Sequence, residues 1–137
     1  MTKDRSLSSA IQIMVILSTQ KDMIITSEML ATSLCTNPGL VRRILSKLAS
    51  ANLIETIKGK NGGARLKRPD SKITIKEIYQ AVSEGPLFGS FDKEPFKACN
   101  VSCQMGQVLK DYYNDLEKDI KQTMDSTKLS TLVRKIK

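Results

Sequence analysis

Residues 37–68 read NPGLVRRILSKLASANLIETIKGKNGGARLKR, and this stretch decides the fold. Asn37 and Pro38 open it. Asn is a favoured helix N-cap, and Pro suits the first helical position, where its missing N–H has no partner to lose. Val41, Ile44, Leu45 and Leu48 follow at i, i+3, i+4 and i+7, the buried stripe of a helix that ends near Ala51-Asn52. Gly39, Arg42, Arg43, Ser46 and Lys47 form its opposite, basic face. Leu53 to Ile57 then alternates as a short strand. Lys58-Gly59-Lys60-Asn61-Gly62-Gly63 is a turn-rich tip, and Ala64 to Lys67 is a second strand stopped by Pro69.

Upstream, residues 6–19 place Leu7, Ala10, Ile11, Met14 and Leu17 at helical spacing, with Ile13 and Ile16 widening the stripe. Thr26 is an N-cap for a second, short helix that carries Glu28 in its first turn and Met29, Leu30 and Leu34, and ends at about Cys35. Two helices joined by a short turn, the second basic outside and aliphatic inside, make a helix-turn-helix. With the hairpin after it, the unit is a winged helix.

Downstream, Thr74-Ile75-Lys76-Glu77 is a capping box for a helix that buries Ile75, Ile78, Tyr79 and Val82 and stops before Gly85. Residues 86–98, with Pro86, Gly89 and Pro95, read as a loop. From Cys103 to about Met124 the apolar positions Met105, Val108, Leu109, Tyr112, Leu116, Ile120 and Met124 define one long helix. So long a stripe needs a partner, and a second copy of the same helix is the natural candidate. Its expected dimer interface is Met105, Leu109, Tyr112, Leu116 and Ile120. Leu129 to Ile136 suits one more short helix. The expected fold is therefore mainly α with a small two-stranded β-wing. Residues 1–85 form a winged helix-turn-helix, 86–98 a loop, and 99–137 a dimerisation helix and tail.

The charge is uneven. Of the net +8, residues 1–68 carry 11 Lys/Arg against 4 Asp/Glu, while residues 69–137 carry 11 against 10. A compact basic segment between Arg42 and Arg68, opposed only by Glu55, is the footprint of a polyanionic partner. The chain contains no His, which rules out Ser–His and Cys–His dyads and the H-E-x-x-H zinc site. P-loop, G-x-S-x-G and G-x-G-x-x-G patterns are absent as well, so an enzyme is not expected. No Phe, Tyr or Trp precedes Tyr79, so the basic region lacks the stacking platform of a single-strand or RNA binder, and duplex DNA fits better. A winged helix used as a protein-interaction module is the alternative. No apolar run reaches membrane-spanning length, and no small-residue cleavage site follows Ile11 to Leu17, which points to a cytoplasmic protein.

Taken together, these residues resemble the Rrf2 family of bacterial winged helix-turn-helix regulators, the group that includes IscR, NsrR and CymR. The resemblance runs through Ser27-Glu28-Met29-Leu30-Ala31, Asn37-Pro38 to Leu45-Ser46-Lys47-Leu48, the Gly62-Gly63-Ala64 wing, the Ile75 to Val82 helix, and a cysteine at the start of the long helix. It is strongest to the YwnA-like members that lack a metal cluster. It implies a homodimeric transcription factor, a repressor, that reads a palindromic double-stranded DNA operator. The DNA contacts it implies are Asn37, Gly39, Arg42 and Arg43 on the recognition helix and Lys58, Lys60 and Asn61 in the wing, and the basic residues Lys47 and Arg65 are further candidate DNA contacts. Lys67 and Arg68 are expected with Arg65 at the phosphate rim.

Cluster-binding members carry three closely spaced cysteines before the dimer helix. Here only Cys99 and Cys103 lie there, so no metal site, no iron–sulfur cluster and no other cofactor is expected. Cys35, Cys99 and Cys103 remain candidates for a redox switch, through an inter-subunit link of Cys35 and Cys99 rather than a Cys99–Cys103 bridge. In the plainer reading Cys35 is a small buried hydrophobe and the other two are packing residues.

Overall fold

The computed structural model describes residues 5–89 and 93–136. Helix α1 spans Ser6–Thr19, α2 Ser27–Leu34 and α3 Pro38–Ser50. The wing is an antiparallel pair, β1 (Ile54–Ile57) and β2 (Gly63–Leu66), followed by one 3-10 turn over Asp70–Lys72. Helix α4 (Ile75–Val82), the long α5 (Asn100–Ser126) and the short α6 (Leu129–Val133) complete the order. The expected loop over 86–98 falls partly outside the described residues.

The local signals act as the sequence implies. The Thr26 hydroxyl accepts from the Met29 N–H at 3.1 Å, and Asn37 Oδ1 accepts from the Leu40 N–H at 2.8 Å with Pro38 at the first helical position. Thr74 and Glu77 form the reciprocal capping box. Val41, Ile44, Leu45 and Leu48 point inward with Ile13, Met14, Leu30, Leu53 and Ile78 to form one core. Side chains of this size contribute about 1.5–3 kcal/mol each when fully buried.

The wing is anchored by a contact that alternation alone does not show. Ile25, just before α2, pairs with Ala64 through hydrogen bonds in both directions, at 3.0 and 2.8 Å. This ties the wing base to the helix-turn-helix and buries Ala64 completely. Two of the three glycines of the tip, Gly62 and Gly63, are steric necessities. A Cβ on Gly62 would overlap the Ile57 carbonyl, and one on Gly63 would overlap the Ile25 carbonyl.

The long helix expected from Cys103 to about Met124 runs from Asn100 to Ser126, with Cys99 as its N-cap. None of its residues is buried. Tyr113, Glu117 and Met124 face its own domain. Tyr113 stacks on Phe88 with centroids 5.0 Å apart, Glu117 accepts from the Leu87 N–H at 2.7 Å, and Met124 packs on the core.

The C-terminal tail packs on the winged domain. Leu129 is fully buried in the core of the winged domain, and α6 lies against α1. The reason is a backbone bridge: the Leu129 N–H donates to the Ile73 carbonyl at 2.8 Å and the Ile75 N–H to the Thr127 carbonyl at 2.9 Å. The long helix is thus fixed to the winged domain along α4 and again at its C-terminal end.

Candidate nucleic-acid interface

The exposed face of α3 and the wing enclose an open cleft of about 850 Å³. The first turn of α2 closes one side, through Thr26, Ser27 and Glu28. Arg42, Leu45, Ser46 and Ala49 of α3 line another, and Lys58, Gly59 and Lys60 the third. Three of the cations expected at DNA line it, Arg42, Lys58 and Lys60, and Arg43 follows Arg42 on α3. Arg42, Arg43, Lys58 and Lys60 are exposed, and all but Arg42 lack an intramolecular hydrogen-bond or ion-pair partner among the described residues. Such cations are available to phosphates and base edges.

The remaining expected contacts divide. Asn37 is exposed, and its carbonyl oxygen is used to cap α3, which leaves its amide N–H groups free to donate. Gly39 and Asn61 are exposed at the start of α3 and at the wing tip. Lys47 is half-buried, and its ammonium meets the Glu84 carboxylate at 2.6 Å. Arg65 lies opposite Glu55 in the wing register and donates to its carboxylate. Lys67 donates to Asn52 Oδ1 at 3.3 Å.

Arg68, expected at the phosphate rim, is instead a structural residue. Its guanidinium donates to the Lys72 carbonyl at 3.2 Å and to the Glu77 carboxylate at 2.6 Å. It is drawn inward because Glu77 already stands at the N-terminus of α4 as half of the capping box. Burial pushes the Glu77 carboxyl up, but the Arg68 guanidinium and the Thr74 backbone N–H outweigh it and hold the group below its ordinary range.

The structure adds Thr26, Ser27, Glu28 and Thr56 to the cleft. Glu28 is its single acid among the described residues, with Oε1 3.5 Å from Arg42 Nη2. The available signal was an acidic residue in the first turn of α2, which suits a helix N-terminus and says nothing of the neighbouring helix.

The cysteines separate into two places. Cys35 ends α2 in the left-handed conformation, with φ 55°, and this turn carries it to the surface. The reading of Cys35 as a buried hydrophobe is therefore wrong. Cys99 caps α5 by accepting from the Ser102 N–H at 3.4 Å, and Cys103 is exposed one turn on, 3.7 Å from the Phe96 and Lys97 carbonyls. No group of three or more His, Cys, Asp or Glu that could hold a metal lies among the described residues.

On the outer side of α5, Val101, Met105, Val108 and Tyr112 form a second apolar stripe. Val101 is 67%, Val108 54% and Tyr112 57% exposed. Of the expected interface residues, Met105 and Tyr112 belong to this stripe, and Leu109, Leu116 and Ile120 are half-buried. Among the described residues no helix is long and apolar enough to cross a membrane.

Comparison with known proteins agrees with this architecture. The sequence profile of the Rrf2 family, described as an iron-dependent transcriptional regulator, matches residues 4–135. The HTH-type transcriptional regulator YwnA of Bacillus subtilis is 27% identical over 127 residues, 93% of each chain. The protein aau3 of Rhizobium meliloti is 31% identical over 81 residues, 55% of this chain and 53% of its own. Among solved structures, a transcriptional regulator from Lactobacillus plantarum superposes with TM-score 0.80 at 23% identity, over 93% of this chain and 87% of its own. The cysteine regulator CymR of B. subtilis superposes with TM-score 0.74 at 18% identity, over all of this chain and 99% of its own. These two likenesses concern the fold, whereas the profile match spans nearly the whole sequence, and the chain belongs to the Rrf2 family of transcriptional regulators, a non-enzymatic family.

Proposed function

We propose that this regulator works as a homodimer that binds duplex DNA at a palindromic operator and represses transcription there. The observation that carries the reading is the set of exposed cations on α3 and the wing: Arg42, Lys58 and Lys60 line the cleft, and Arg43 follows Arg42 on the recognition helix, with Arg43, Lys58 and Lys60 unpaired among the described residues. A recognition helix in the major groove places Arg42 and Arg43 toward base edges, where a guanidinium pairs with guanine. Wing lysines then meet phosphate or the minor groove. The exposed Val101–Tyr112 stripe supports the dimer, because a second copy covers it by symmetry. Two symmetry-related recognition helices call for two inverted half-sites.

The proposal includes control through thiols and no iron–sulfur cluster. Peroxide would take two electrons and two protons from a pair of thiols, one being the exposed Cys35, to give a disulfide and two waters. A link from Cys35 to Cys99 across the dimer would change the spacing of the two recognition helices. The DNA reading is tested by anisotropy of a labelled random-sequence duplex across a salt series. The logarithm of wild-type affinity should fall linearly with the logarithm of salt, and Arg43→Glu should lose binding with an unchanged circular dichroism spectrum. A folded wild type without salt-dependent affinity for any duplex would instead be a protein-interaction module.

A further inference from the structure

Glu28 is out of place on a DNA-facing surface. It is the single acid lining a cleft whose other charges are Arg42, Lys58 and Lys60, among the described residues. A bound phosphate backbone would be repelled by it. Its charge is nevertheless secure at neutral pH. Its own backbone N–H, together with the Arg42 guanidinium, holds the carboxyl below its ordinary range against the opposing effect of burial. Glu28 also sits in the first turn of α2, where the helix dipole favours an anion.

The geometry shows what this carboxylate does. Its Oε1 lies 3.5 Å from Arg42 Nη2, and its Oε2 accepts from the Ser27 hydroxyl at 3.4 Å. One helix thus reaches across the cleft to the Arg of the next. Arg42 and Glu28 side chains are 61% and 67% exposed, so water screens the pair in the free protein. A duplex over the cleft would exclude that water and strengthen the attraction. A guanidinium has five N–H donors in a fixed fork. Glu28 engages one edge and leaves others for a base. Without Glu28 the long Arg42 side chain would turn to the nearest phosphate, a contact that carries no sequence information.

We propose that Glu28 is a specificity-determining residue, which orients Arg42 toward base edges and keeps it off the phosphates. This rests on the DNA reading above. The test compares wild type, Glu28→Gln, Arg42→Ala and the double variant on a random-sequence duplex over a salt series. Each protein also selects from a randomised duplex library.

Glu28→Gln should raise random-duplex affinity several-fold and steepen the salt slope by about 0.9, the value of one added phosphate contact. It should also lose preference at one base of each half-site. In the Arg42→Ala background the same change should leave slope and preference as they are. Equal steepening with and without Arg42 would reduce Glu28 to a repulsive charge and overturn the proposal. So would wild-type duplex binding with an inert Glu28→Gln. A wild type that binds no duplex removes the DNA reading itself, and this inference with it.

Discussion

Replacing Leu129 with Ala tests whether the C-terminal segment is part of the winged domain. Leu129 is fully buried, and its N–H is bonded to the Ile73 carbonyl. The substitution removes three carbons, worth about 2–2.5 kcal/mol at about 0.8 kcal/mol per buried methylene. The residual cavity raises this to about 3–4 kcal/mol, inside the range seen for buried Leu→Ala changes. An unfolding entropy of about 2.1 cal/mol/K per residue gives about 0.29 kcal/mol/K over the 137 residues, so the melting temperature should fall by about 10–14 °C. Ile136→Ala is the matched control. Ile136 is exposed two residues beyond the C-cap of α6, and its change should stay within about 0.5 kcal/mol. Thermal unfolding followed by circular dichroism, at one protein concentration because dimerisation shifts the midpoint, reads both. A Leu129→Ala midpoint indistinguishable from that of Ile136→Ala would show that α6 is not docked. The long helix would then be tied to the DNA-binding unit along α4 alone.

Other expectations concern assembly, pH and metal. Val108→Glu with Tyr112→Glu places charges on the exposed stripe of α5 and should give monomers in light scattering, with the melting of the winged domain retained. A monomeric wild type would refute the stripe's role. Glu77 has its folded-state carboxyl held below its unfolded value, so its stabilisation is present above about pH 4.5 and is lost as pH falls through the lower folded value. Glu77→Gln should therefore cost about 1 kcal/mol at pH 7, the scale of a lost helix cap, and much less at pH 3; equal costs at both pH values would refute the ionised capping box. Protein purified without air should be colourless and free of iron, and a brown product with stoichiometric iron would return Cys99 and Cys103 to the role of ligands.

The elements visible in the sequence are those specified by neighbouring residues. Asn37-Pro38, the Val41 to Leu48 stripe and the Thr74 to Glu77 capping box act within one or two helical turns, and each forms where the pattern places it. Arg42, Lys58 and Lys60 share one cleft, since a helix and the hairpin that follows it are packed through Leu48, Leu53 and Ile54. What escaped depends on how the chain turns and pairs beyond a single helical period. The Ile25–Ala64 bridge and the docking of Leu129 beside Ile73 are backbone pairings that no local period encodes. Arg68 looked like one more surface cation because its partners, Glu77 and the Lys72 carbonyl, become neighbours only when the chain turns after Pro69. Cys35 looked buried because cysteine usually is, yet its left-handed backbone at the end of α2 turns it outward. The single acid of the cleft was legible as a helix-start residue and not as a neighbour of Arg42.

Selection of duplexes from a fully randomised library by the wild-type protein, with Arg43→Glu in parallel, reads sequence recognition itself. The wild type should enrich an inverted repeat with half-site centres about one helical turn, 34–36 Å, apart or slightly more, and Arg43→Glu should enrich none. Recovery of unenriched sequence by a folded wild type, with affinity indifferent to salt, would contradict such recognition.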